Sequence, residues 1–258
     1  MSINEEPLAP SGLDWDDVVD VICAGAGPGV LAHAIFCADL DLTVELADVA
    51  LPVEPADPGT AAYLESMTDD LGPLTRLPED LVVPVLDAHP VVVETGRRAT
   101  IEPFFGSRLR DWSARCAVSP FGIIYSHVPG PMAAMRAESG DLIRAAVLGE
   151  FRPETDRPGP ELVQWLREQA LDRGVGQGGG TQLEHLIFEY GKVAGAALST
   201  SSGTRLVRAT AGVALSAGPA PVVVDWPVQA ELRSVATQVA IVSRTASRFG
   251  RVELLSGR

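Results

Sequence analysis

Five residues near the N-terminus, Gly25-Ala26-Gly27-Pro28-Gly29, have the composition of a phosphate-cradling turn. The apolar run Val18, Val19, Val21 and Ile22 leads into them as a strand, and the Ala- and Leu-rich stretch Val30–Leu40 leaves as a helix. A helix start presents unpaired N–H groups and a partial positive charge, so a pyrophosphate can rest there. Gly25 permits the tight turn, and Gly27 lets backbone approach a ligand with no Cβ between them. The strand-like Leu42–Leu46 follows, and then Asp48, 23 residues after Gly25. That is close to the roughly 20-residue spacing of an acid that binds a ribose hydroxyl. An acid there favours an unphosphorylated adenosine ribose, as in FAD or NAD, over NADP. The third glycine of the fingerprint falls at position 30, which is Val30. That position serves helix–sheet packing rather than ligand contact.

The elements that must hold this turn form a βαβ unit over residues 18–50. Residues 1–13 are polar and Pro-containing, and read as a flexible arm. Residues 51–160 read as an irregular, mostly helical insertion or cap. Within it, Thr60–Leu71 fits a helix ended by Gly72-Pro73, Asp80–Leu86 and Pro90–Glu94 are short apolar runs, and Ser139–Leu148 is expected to be a helix. Arg152–Pro160 is a linker by composition. Glu161–Arg173 is a helix stopped by Gly174. Leu183–Phe188, Val193–Leu198 and Arg205–Leu215 then form a β-meander, with Tyr190-Gly191 and Ser202-Gly203 as its turns. In the C-terminal segment 219–258, Val222–Val224 is strand-like and Val235–Val242 fits either helix or strand. The expected division is a dinucleotide-binding core from 14–50 and 161–218, with the insertion between its halves.

Composition excludes several classes. A chain of 258 residues with 46% hydrophobic residues carries enough apolar material for a core and is no disordered tail. Its net charge of −14 would repel a phosphate backbone, so no nucleic-acid partner is expected. The basic residues are nineteen arginines and one lysine, Lys192. Cys23, Cys37 and Cys116 are odd in number and widely spaced, which suits a reducing, cytoplasmic setting. No apolar window reaches the ~18 residues of a spanning helix, and MSINEEPLAPSG is no signal peptide.

Two distant stretches resemble FAD-dependent oxidoreductases of the fumarate reductase/3-ketosteroid dehydrogenase family. The first is Trp15-Asp16-Asp17-Val18-Val19-Asp20-Val21 running into Gly25-Ala26-Gly27-Pro28-Gly29. The second begins at Glu161–Gly174 and continues through Thr181-Gln182-Leu183-Glu184-His185-Leu186 and Tyr190-Gly191-Lys192-Val193-Ala194-Gly195-Ala196. It ends in Arg208–Gly218, similar to the strand that closes the family's FAD half-sheet. The resemblance implies an α/β fold with a Rossmann-like FAD/NAD(P)-binding core. It also implies that Gly25, Gly27 and Gly29 line a pyrophosphate, that Asp48 holds the adenosine ribose and that the Leu183 backbone faces adenine. Ala217 and Gly218 would then pass under the diphosphate. Departures from the family pattern are Pro219 in place of a closing glycine and Leu51-Pro52-Val53-Glu54-Pro55 where a Gly/Ser-rich segment is usual. The chain also lacks a counterpart of the late flavin-ring segment and of the substrate domain, so a shortened relative is expected.

Other chemistry is sparse. His33, His89, His127 and His185 are scattered without metal-ligand spacing, and no metal site is expected. No nucleophile elbow or Walker loop is present, and the Gly176–Gly180 run follows a helix, which makes it a connector. Phe104–Arg115 is the densest basic-aromatic patch. It reads either as an anion or partner site near Tyr125 and His127, or as an amphipathic helix with Leu109 and Trp112 inward. Two functions remain. One is an FAD-binding oxidoreductase relative of full or degenerate redox function, with NAD or no cofactor as the alternatives to FAD, a small molecule as its substrate and no catalytic residue assigned. The other is a cofactor-free Rossmann scaffold acting through protein–protein contacts, as a homo-oligomer or a partner's subunit.

Overall fold

A computed structural model of the chain describes residues 13–52, 55–92, 106–127, 130–154, 158–176, 179–217, 237–245 and 247–256. Residues 1–12 of the expected arm, Val222–Val224 and Gly218 lie outside these residues. The described chain is mixed α/β, with an eleven-stranded sheet and four α-helices.

Strand β1 (Asp17–Ala24) is followed by helix α1 (Pro28–Ala38) and strand β2 (Val44–Ala47). Both β2 and the long β9 (Gly203–Ser216) pair with β1 in parallel. Val21 and Cys23 join one hydrophobic cluster, whereas Ile22 and Ala24 join a second one. A strand covered on both faces is apolar without alternation, which explains the continuous run read from the sequence. Pro28 opens α1 at a position where its missing N–H costs nothing. Helix α4 (Pro158–Asp172) packs across α1 through the fully buried Leu162, Leu166 and Ala170.

The meander is formed by β7 (Gln182–Glu189), β8 (Lys192–Thr200) and β9, paired antiparallel in that order. Tyr190 (φ 52°) and Gly191 (φ 72°) form its first turn, with both residues in the left-handed region that a two-residue hairpin turn needs.

The insertion departs from the helical expectation. It holds α2 (Pro58–Thr68) and α3 (Gly106–Val118), but also four strands: β3 (Val85–Pro90), β4 (Gly122–Tyr125), β5 (Ala133–Ala137) and β6 (Leu142–Phe151). Ser139–Leu148 is therefore not a helix. Gly140 turns the chain at φ 85°, and β6 begins at Leu142. Ile143 and Ala145 enter one cluster while Ala146 and Leu148 enter the other, and Val147 is exposed. The Ala- and Leu-rich composition that suggests a helix here serves close packing on both faces of a strand. In the C-terminal segment, β10 (Thr237–Ser243) settles the ambiguous stretch as strand, and β11 (Phe249–Ser256) follows it. The pairings β10–β6, β6–β5, β5–β3, β3–β11 and β11–β10 close a circuit. Strand β4 links that circuit to β9. Among the described residues, no helix is long and apolar enough to cross a membrane.

Candidate functional site

The glycine turn joins the C-terminal end of β1 to α1, as its composition requires. Gly25 sits at φ 124°, a conformation that other residues rarely adopt. Gly27 is the N-cap of α1, with no side chain of its own to cap the helix. Its N–H donates instead to Ser216 Oγ at 3.1 Å.

What approaches the turn is the chain itself. A Cβ added at Gly25 would overlap the Ser216 side chain. One at Gly27 would lie 2.8 Å from Ser216 Oγ and 3.1 Å from the Pro120 carbonyl oxygen. One at Gly29 would meet the carbonyl oxygens of Phe121 at 2.5 Å and Gly122 at 2.9 Å. Strand β4 causes this crowding: it runs antiparallel beside β9, so Ile123 pairs with Ser216 and the preceding loop crosses the start of α1. Of the turn, only Ala26 is exposed; Gly25 and Gly27–Val30 are buried. The glycines are needed, but for a protein oxygen to come close.

Asp48, half-buried just past β2, accepts the Gly180 N–H at 3.1 Å. Gly179 (φ 54°) and Gly180 (φ 94°) give the glycine run a definite turn that reaches this carboxylate. Beside it, the Val49 N–H donates to the Thr181 carbonyl at 3.1 Å, so the end of β2 is laced to the start of β7. Leu183, on β7, is buried and lines a crevice with Leu51, Pro52, Pro55, Thr60 and Leu64. Its free interior is about 10 Å³, room for about one water. Helix α2 narrows it. Asp57 caps the helix by accepting the Thr60 N–H at 2.6 Å and the Thr60 hydroxyl at 2.8 Å, and those bonds hold its carboxyl below the usual carboxylate range. Thr60 Oγ1 in turn accepts the Leu186 N–H at 2.8 Å. Ala217 follows β9 and donates its N–H to the Gly122 carbonyl at 3.1 Å. The predicted residues thus gather along one end of β1, β2 and β9, as three contacts: Gly27 with Ser216, Asp48 with Gly180, and Leu183 with the α2 side chains.

A bound pyrophosphate needs converging N–H donors. Here the Gly27 N–H is already donated, Pro28 has none, and carbonyl oxygens of the 120–122 segment face the helix start. This arrangement does not fit a dinucleotide phosphate. Ser216, Phe121 and Gly122 were missed as residues that decide the site. Only Ser216 stands in a matched motif, and nothing local in Pro120-Phe121-Gly122 signals that it crosses the turn.

The basic-aromatic patch resolves into the amphipathic helix α3. Trp112 is buried with its indole N–H donating to the Phe249 carbonyl at 3.3 Å, while Arg108 stays largely exposed. Tyr125 is fully buried in the other cluster, with its ring 4.9 Å from that of His33. The structure therefore does not bring Tyr125 and the α3 arginines together. His127 lies beside Gly212. Among the described residues, no group of three His, Cys, Asp or Glu could hold a metal ion.

No family model matches the chain, and no curated protein matches it. Among solved structures it is similar to a geranylgeranyl bacteriochlorophyll reductase-like protein from Thermoplasma acidophilum, with 15% identity and a TM-score of 0.31 over 75% of this chain and 38% of that one. It is also similar to a flavocytochrome c3 fumarate reductase in its open conformation, with 14% identity and a TM-score of 0.35 over 76% of this chain and 33% of that one. The chain spans only about a third of the length of each.

Proposed function

We propose that this chain is a Rossmann-like protein whose dinucleotide cradle has become internal packing, and that it works without FAD or NAD as a subunit or interaction module. The observation that supports this reading is the set of oxygens around the glycine turn: Ser216 Oγ and the carbonyls of Pro120, Phe121 and Gly122. A phosphate approaching the start of α1 would meet the negative ends of these dipoles, and like polarity at contact distance is unfavourable. The self-paired Asp48 and the narrow crevice beside Leu183 support the same reading at the adenosine end.

A second reading, an FAD-binding oxidoreductase relative, is supported by Asp48 at the end of β2 and Leu183 on neighbouring β7. Its binding residues would be Gly25, Gly27, Gly29, Asp48, Leu183, Ala217 and Gly218. Occupancy would require the 120–122 segment and Ser216 to withdraw. One experiment separates the two. The protein is purified, its visible absorbance is inspected for flavin bands, and its unfolding is followed while FAD, NAD or ADP is added. A ligand at a hundred times its Kd adds about 2.7 kcal/mol to stability. The expected result is no flavin band and no saturable shift. A stoichiometric flavin, or a saturating shift with any of the three, overturns the proposal in favour of the second reading.

A further inference from the structure

Three arginines meet at the turn between β5 and β6, and neither reading uses them. Arg108 comes from the start of α3, Arg136 from β5 and Arg244 from just after β10. Arg108 Nη1 lies 3.2 Å from Asp141 Oδ1, and Arg244 Nη2 lies 3.5 Å from Asp141 Oδ2. The Ser139 hydroxyl donates to Asp141 Oδ2 at 3.2 Å. Arg136 Nη1 donates to the Gly140 carbonyl at 2.9 Å, and Arg244 Nη1 to the Leu142 carbonyl at 3.1 Å. Arg244 also lies over the Trp112 ring, 5.2 Å from its centroid. A carbonyl and an indole thus fix the Arg244 guanidinium without cancelling its charge. One carboxylate answers the two guanidinium groups that reach it.

We infer that this turn is a binding site for a phosphate monoester, and that the Asp141 carboxylate is the site's internal stand-in for it. The dianion takes the place of the carboxylate between Arg108, Arg244 and Ser139.

Stability alone gives little reason for the arrangement. The Arg108 and Asp141 side chains are 67% and 33% exposed, and an ion pair so open to water contributes little. Exchange is simple in structural terms. The Ala137 N–H donates to the Asp141 carbonyl at 2.9 Å and the Gly140 N–H to the Ala137 carbonyl at 2.8 Å, so the turn keeps its backbone while the Asp141 side chain rotates into solvent. A phosphate monoester carries about −1.5 to −2 charges at neutral pH and three strong acceptor oxygens, against one charge and two oxygens on the carboxylate. Arginine forks match that geometry, and preset guanidinium groups lose less freedom on binding. The net charge of −14 acts over distances that salt screens, whereas these contacts act within 4 Å.

Binding is measured by calorimetry at constant ionic strength with two probes: inorganic phosphate, and a phosphoserine tripeptide beside its unphosphorylated form. The expected result is saturable binding of the phosphorylated probes alone. Equal affinity for the two assigns a free phosphate, and tighter binding of the phosphopeptide assigns a phosphate carried on a partner. Asp141→Asn removes the internal competitor and should tighten binding by about tenfold, because one opposing charge is gone. Arg108→Gln and Arg244→Gln should each weaken it by about tenfold or more, while Arg110→Gln, exposed on the same helix, leaves it unchanged. Arg108 is exposed, so its variant decides even where Arg244→Gln fails to fold. Three results overturn the inference: no saturable binding by the wild type, Asp141→Asn binding no tighter than wild type, or Arg108→Gln binding as well as wild type. The probes include neither FAD nor NAD, so such a failure leaves the functional reading untouched.

Discussion

The Ser216 hydroxyl accepts the Gly27 N–H at 3.1 Å, tying the N-cap of α1 to the last residue of β9 across 189 residues of sequence. This bond occupies the donor that a pyrophosphate would use. Ser216→Ala removes the acceptor and leaves the part-buried N–H unmet, which is expected to cost about 1 kcal/mol of unfolding free energy. Gly25→Ala should cost more. Its φ of 124° alone is worth about 1–3 kcal/mol for a residue with a Cβ, and that Cβ runs into the Ser216 side chain. Urea denaturation of both variants measures the order. Equal stability of wild type and Ser216→Ala would show that the hydroxyl is not engaged in solution.

Periodicity and turn residues made the βαβ unit, the meander and α4 legible, because each is specified by residues close in sequence. Val18–Ile22, Tyr190-Gly191 and Gly174 carry their meaning locally. What could not be read is which distant segment fills the space in front of the turn. Gly29 looks like a ligand-facing glycine, and the structure packs the Phe121 and Gly122 carbonyls against it. The same limit hid the strand at Leu142–Phe151, whose small apolar residues suit a helix until pairing with β5 and β10 is known.

Asp48 offers a second test. In the proposed role its carboxylate orients the Gly179-Gly180 turn at the surface. Asp48→Ala should then lower stability by about 0.5–1.5 kcal/mol, the net worth of one hydrogen bond, and leave the affinity for FAD at background. A loss of measurable FAD binding in this variant would instead assign the residue to the ribose.

Stability should depend on pH through Asp20. Its carboxylate accepts the Thr43 N–H at 2.8 Å, the Thr43 hydroxyl at 2.7 Å and the Thr210 hydroxyl at 2.8 Å, joining β1 to both neighbouring strands. The Thr43 backbone and side-chain bonds, then Thr210, hold it below the ordinary aspartate value. A lowered carboxylate binds its proton more weakly when folded, so its stabilisation is fully present above the unfolded value of about 3.9. It fades as pH falls through the folded value. Unfolding of Asp20→Asn and wild type, followed from neutral pH downward, should show a gap that narrows below about pH 4. A gap that stays constant to lower pH would exclude this linkage.

The sharpest energetic test lies under α3. Arg251 Nε donates to Glu253 Oε1 at 2.6 Å, and the two side chains are 11% and 3% exposed. The Arg251 guanidinium lies 4.9 Å from the Trp112 ring centroid, and that of Arg244 lies 5.2 Å from it. Two cations share one indole; Asp141, 3.5 Å from Arg244, faces one of them, and the Glu253 carboxylate supplies the compensating charge for Arg251. Glu253→Ala leaves Arg251 buried without its partner, and breaking such a pair from one side costs about 3–5 kcal/mol. Replacing both, as Arg251→Met with Glu253→Leu, removes the stranded charge and restores apolar contact with Trp112. The double variant should therefore be more stable than Glu253→Ala although it carries more substitutions. Urea titrations of Arg251→Met, Glu253→Leu and the double variant give the coupling directly. Additive losses would mean that water reaches the pair and that α3 does not seal this end of the sheet.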